Sequence, residues 1–155
     1  SNNIKTCYEL ENDYQYKLCD YYIASSFQTP ILGNLHYDYV GVEPIIEVLK
    51  SGVRFIELPI CQETIKIDSL PVIATAEDGK KVITSLNNLN FEKTLLKIKE
   101  FAFKRIDESF VNYPLFIHLK FNKIYYMFIA VFEIWKILNL ILCTQNFILC
   151  YTISK

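Results

Sequence analysis

The 155-residue sequence predicts a single domain of the α/β class. Three observations predict it. Apolar, β-branched stretches alternate with amphipathic ones in the order strand, helix, strand, strand, helix, strand. The first amphipathic stretch has Pro44 near its start and Gly52 at its end, the punctuation of a short helix. The second carries Phe91, Leu95, Ile98, Phe101 and Ala102 on one helical face, with Lys and Glu opposite. Such alternation favours a parallel sheet, and the unequal connections are compatible with half a barrel.

Residues 1–17 are polar, read as a loose lead-in rather than a signal peptide. Residues 21–27, aromatic and β-branched, lead into the turn formers Pro30, Gly33 and Asn34 and predict the first strand and its loop. Ile45, Ile46, Val48 and Leu49 supply the apolar face of the first helix, and 53–60 a second strand. "LPVIAT" (70–75) is a short third strand, 90–106 the second helix, and "YPLFIHLKF" (113–121) a fourth strand. The core segment is therefore 18–122, followed by an apolar C-terminal tail over 123–155 that is expected to be helical. Within that tail, 124–143 is long enough to span a bilayer if helical. It also holds Glu133, Lys136 and Asn139, a polar stripe costly at mid-membrane. A core helix closing an incomplete barrel is the competing expectation.

Charge and cysteines narrow the partners. Sixteen Lys and Arg against seventeen Asp and Glu give a net charge of −1, which offers no basic face for nucleic acid. The composition is 52% hydrophobic, much of the excess lying in the tail. Cys7, Cys19, Cys61, Cys143 and Cys150 form no CxxC pair, so reduced thiols in a cytoplasmic setting are expected rather than a zinc site or disulfides.

"DYYIASSFQTPILGN" followed by "GVEPIIEVLKSGVRFIELPI" resembles the X region of phosphatidylinositol-specific phospholipase C. In that family a Ser-Ser-His-Asn-Thr-Tyr-Leu motif ends the first strand, and a helix leads to a Gly-x-Arg-x-x-Glu-Leu-Asp strand. Ser25, Ser26 and Thr29 match the first motif; Gly52, Arg54, Glu57 and Leu58 match the second. "LPVIAT" is similar to the family's Pro-Val-Ile-Tyr-His strand, and "FAF" with "YPLFIHLKF" to its helix end and Tyr-Pro-Val-Ile-Leu-Ser-Leu-Glu strand. The resemblance implies half of a TIM-type barrel, with a site at the C-terminal ends of the strands. It also implies phosphodiester hydrolysis by two histidines and a calcium ion held by oxygen ligands.

Residue by residue, the resemblance carries over little of that chemistry. Phe27 stands at the first histidine position and Thr75 at the second; neither transfers a proton as a histidine does. Gln28 replaces an asparagine ligand, Glu57 keeps an acidic one, Pro59 replaces an aspartate, and Lys120 replaces a glutamate. A degenerate calcium site of Glu57 and Gln28 follows, with no cofactor expected to occupy it. Glu57 is expected to pair with Lys120. Arg54 is either a phosphate ligand or a structural brace, and Lys120 a substrate-binding cation. His118, on the same strand face as Lys120, is a candidate acid/base, though a lone histidine is more often structural. His36 reads as a solvated loop residue, Ser25 and Ser26 lack a base nearby, and Lys80-Lys81 form a basic turn.

These readings lead to a phospholipase C X-domain-like protein with impaired catalysis, a pseudoenzyme of the phosphoric diester hydrolases. The alternatives are a calcium-independent phosphodiesterase using His118 and Lys120, and a membrane-anchored or truncated binding module. Expected partners are a phosphoinositide head group or a membrane surface, with no nucleic acid and an unspecified protein partner. Residues 124–151 are the segment expected to carry any membrane association.

Overall fold

The computed structural model describes residues 17–34, 36–62, 70–76, 83–104, 113–123, 127–142 and 147–153. Its strands are β1 (Ser25–Ser26), β2 (Phe55–Gln62), β3 (Pro71–Ile73), β4 (Leu89–Asn90), β5 (Leu115–Lys123) and β6 (Phe147–Ile153). Its helices are α1 (Glu43–Lys50), α2 (Phe91–Phe101) and α3 (Met127–Leu142), with a 3-10 turn at Leu18–Asp20. The lead-in up to residue 16, Cys7, Lys80, Lys81 and Cys143 lie outside the described residues.

The sheet is mixed, not all parallel as the alternation suggested. Its order is β4-β3-β2-β5-β6, and β1 pairs with β2 beside that path. β1, β2, β5 and β6 run parallel, whereas β3 and β4 return antiparallel. One edge of β2 is shared: Phe55 and Ile56 meet β1, and Ile60 to Gln62 meet β3. That sharing explains why the first strand, expected over 21–27, shrinks to two residues. Its N-terminal part precedes the start of β2 and has no ladder to join.

Local chemistry sets the helix ends. Pro44 occupies the first turn of α1, where its missing N–H costs nothing, and Gly52 beyond the other end takes φ +98. Asn90 caps α2, its side chain accepting from the Lys93 N–H at 2.9 Å. The second helix ends at Phe101, short of the expected 106. The Arg54 guanidinium donates to the Ala102 carbonyl just beyond that end and to Leu49 near the end of α1.

All three helices lie on one face of the sheet. Ile56, Leu58 and Ile60 of β2 and Leu115, Ile117, Leu119 and Phe121 of β5 share one core with Ile45 and Leu49 of α1, Phe91, Leu95 and Ile98 of α2, and Ile134, Leu138 and Ile141 of α3. Alternation along β2 and β5 then forces Glu57, His118 and Lys120 to the other face.

The tail corrects a second expectation, because it is not helical throughout. α3 is followed by β6, which lies parallel along β5 in register Leu115↔Phe147 to Phe121↔Ile153. "FILCYTI" is rich in β-branched and aromatic residues, and the open edge of β5 gives it a ladder. α3 packs its inner face into the core, and the polar stripe is satisfied outside it. Lys136 Nζ is 2.8 Å from Glu133 Oε1, and the Asn139 amide donates to the Trp135 carbonyl. Among the described residues no helix is long and apolar enough to cross a membrane. At sixteen residues α3 is about 24 Å long, short of a ~30 Å hydrocarbon core.

Candidate functional site

Four parallel strands, β1, β2, β5 and β6, bring the site together. Register pairs Glu57 with His118, Pro59 with Lys120, His118 with Cys150 and Lys120 with Thr152. Registered partners on parallel strands share a face, so carboxylate, imidazole, ammonium and hydroxyl meet on the side away from the helices.

That register overturns the expected Glu57–Lys120 ion pair. Glu57 stands beside His118, and its Oε2 accepts from His118 Nδ1 at 2.9 Å. Lys120 lies one pleat further on, its Nζ 5.9 Å from the centre of the Phe27 ring. Phe27 and Lys120, the positions of the first histidine and the fourth-strand glutamate in the resemblance, therefore lie beside each other.

Glu57 is buried at 6% exposure, and among the described residues its Oε1 has no hydrogen-bond partner. The other ring nitrogen of His118, Nε2, lies 3.1 Å from Thr152 Oγ1. Thr152, His118 and Glu57 thus form a continuous hydroxyl–imidazole–carboxylate chain across three strands. Sequence reasoning named His118 but missed Thr152, because the tail read as helix. The β-branched and aromatic content of 147–153 was the signal, and a strand there puts Phe147, Leu149 and Tyr151 on one face and Ile148, Cys150 and Thr152 on the other. Beside them, burial pushes the Cys150 thiol pKa up, which disfavours its thiolate.

Thr29 fastens the end of β1. Its N–H donates to the Glu57 carbonyl, its Oγ1 accepts from the Glu57 N–H at 3.2 Å, and its hydroxyl donates to Ser26 O. The Ser25 hydroxyl is spent on the Ile23 carbonyl. Gln28 adopts φ 46 and lines an open groove of about 500 Å³ with Pro44 and Val48 of α1; Glu57 is not among its lining residues. Arg54 immediately precedes β2 and holds the two helix ends described above.

Thr75 heads a second polar cluster. Its Oγ1 lies 3.2 Å from Thr84 Oγ1, which lies 3.0 Å from His36 Nδ1, and Ser85 Oγ accepts from the Thr75 N–H. His36, expected in solvent, is half-buried because the loop after β1 folds onto residues 84–87. The Tyr37 N–H donates to Thr84 O, and the Asn87 side chain bonds both the N–H and the C=O of Val40.

Asp38 braces the same loop. Its carboxylate accepts from the Asn34 N–H at 2.9 Å and the Tyr39 N–H at 2.8 Å, and these two bonds hold its pKa below the usual value. Gly33 permits this, since a Cβ there would collide with Asp38 Oδ2. A depressed carboxylate stabilises the fold above its unfolded pKa and loses that contribution as pH falls through the folded one. The stability gap between wild type and Asp38→Ala is therefore expected at neutral pH and should narrow on acidification below pH 3.8, as read by urea titrations across pH. Gly33→Ala should reproduce the neutral-pH loss.

Residues 14–138 match the family of the phosphatidylinositol-specific phospholipase C X domain. No curated protein sequence matches the chain. Among solved structures, the chain is similar to L. pealei PLC21, with 28% identity over 67% of this chain and 12% of that one, at a TM-score of 0.53. It is also similar in fold to S. officinalis PLC21, with 23% identity over 80% of this chain and 14% of that one, at a TM-score of 0.60. The chain thus spans under a sixth of the length of either structure.

Proposed function

The chain belongs to the phosphatidylinositol-specific phospholipase C X-domain family, and from that premise we propose a catalytically impaired phospholipase C-like module that binds phosphoinositide head groups at a membrane surface. The observation that carries this reading is the pairing of Phe27 with Lys120. An exposed aromatic ring and a cation stand where the resemblance calls for a proton-transferring histidine and an acidic ligand.

The residues at the family's calcium positions do not fit that ion. Calcium takes six to eight oxygen ligands. Here His118 engages one oxygen of Glu57, Pro59 offers no side-chain oxygen, Lys120 brings a positive charge, and Gln28 lines the α1 groove. Among the described residues no group of three or more His, Cys, Asp and Glu side chains is placed to hold a metal. A lysine there suits an anionic head group better.

Four parallel strands with helices on one face support reading the domain as half of a TIM-type barrel. The tail then extends that sheet through β6. The loop between β1 and α1 supports surface docking: Phe27 is 70% and Tyr37 75% exposed, with Leu32 and Tyr39 also half in solvent.

Phosphatidylinositol turnover is expected to be absent at every calcium concentration, while vesicles containing phosphoinositides retain the protein. Lys120→Glu should weaken vesicle binding by about 30-fold, from ~1 kcal/mol per charge near an anionic surface, measured by co-sedimentation. Binding unchanged by that substitution would sink the head-group reading. A second reading, calcium-independent phosphodiester cleavage by His118 and Lys120, draws support from the carboxylate on His118. Turnover without calcium that is lost in His118→Ala would establish it instead.

A further inference from the structure

The hydroxyl of Thr152 needs an explanation apart from head-group binding. It is exposed at the C-terminal end of β6, with the imidazole of His118 at 3.1 Å and the buried carboxylate of Glu57 behind that ring at 2.9 Å. Nucleophile within reach of a base, and base within reach of an orienting acid, is the geometry of covalent hydrolysis. We propose that Thr152 is the nucleophile, His118 the general base and Glu57 the positioning residue of an esterase site acting on uncharged carboxylic esters.

The local chemistry selects that class. Phe27 stands against Lys120, and the Phe55 ring centre lies 6.1 Å from that of His118. Two aromatic rings beside the Thr152–His118 pair fit the apolar body of an uncharged ester. Lys120, in register with Thr152 on the adjacent strand, is placed to stabilise the oxyanion.

Each step balances within the site. Thr152 Oγ1 attacks the carbonyl carbon as its proton passes to His118 Nε2, while Nδ1–H remains on Glu57 Oε2. Collapse of the tetrahedral adduct breaks the bond to the alcohol oxygen, which leaves with the proton from Nε2. Water then adds to the Thr152 acyl ester, giving its proton to Nε2. The second collapse releases the acid, and Thr152 Oγ1 recovers that proton. The unpaired Oε1 leaves the carboxylate charge undiluted beside the transient imidazolium.

The test uses p-nitrophenyl butyrate with the full chain. Wild type should release a burst of about one nitrophenol per chain and carry a butyryl group on Thr152, located by peptide mass spectrometry. Thr152→Val and His118→Asn should each lower kcat by about 100-fold or more, and Thr152→Ser should retain turnover. Glu57→Gln should lower kcat with KM little changed. Thr152 is exposed, so its two variants keep the fold intact, as circular dichroism would verify. Release by wild type no faster than in buffer, undiminished release by Thr152→Val, or a butyryl group on another residue would each overturn the assignment. Vesicle binding is read separately, so failure of the head-group reading leaves this result standing.

Discussion

Replacing His118 with leucine is expected to cost about 3–5 kcal/mol of folding stability, the range for stranding one partner of a buried pair. The reason lies in Glu57. It is buried in β2 at 6% exposure, and Oε1 already lacks a partner among the described residues. His118 Nδ1 supplies the hydrogen bond on Oε2, so His118→Leu leaves a buried carboxylate with neither oxygen paired. Glu57→Leu in the same background should recover most of the loss, because two apolar side chains replace the pair without leaving a charge behind. Urea denaturation of the two single variants and the double variant tests this as a cycle. An additive double variant would show that the pair does not couple.

Phe91→Ala is expected to cost about 3–5 kcal/mol, the range for truncating a buried phenylalanine. Phe91 opens α2 at 1% exposure, and its ring belongs to the core shared by all three helices and the sheet. Truncation there removes apolar burial and leaves a cavity in that core. Phe27→Ala is the matched control. At 70% exposure it should change the unfolding free energy by no more than about 0.5 kcal/mol, even though it removes a ring contact of Lys120. Equal losses at the two positions would contradict the burial pattern.

Legibility in the sequence followed the range of the interaction. The helices α1 and α2 were readable because Pro44, Gly52 and the 91–102 stripe act within a turn or two of themselves. β2 and β5 were readable as apolar runs, each displaced by two residues at its ends. The antiparallel return of β3, the short β4 and the strand β6 were not, since strand pairing depends on partners distant in the chain. A tail with the hydropathy of a helix gave up its last seven described residues to the free edge of β5.

The motifs carried the family and also its losses. Phe27, Thr75, Pro59 and Lys120 stand where the resemblance calls for histidines and acids, and no structure is needed to see it. Which side chains then meet was beyond the sequence. Parallel register places Glu57 level with His118 rather than Lys120, and β6 brings Thr152 to the far side of the same ring. The sequence by itself determined the class of fold, the family frame and the residues missing from it, because these reside in local patterns and fixed spacings. Only the tertiary structure decided the partners in the site, because a shift of one residue in strand register changes which charges face each other.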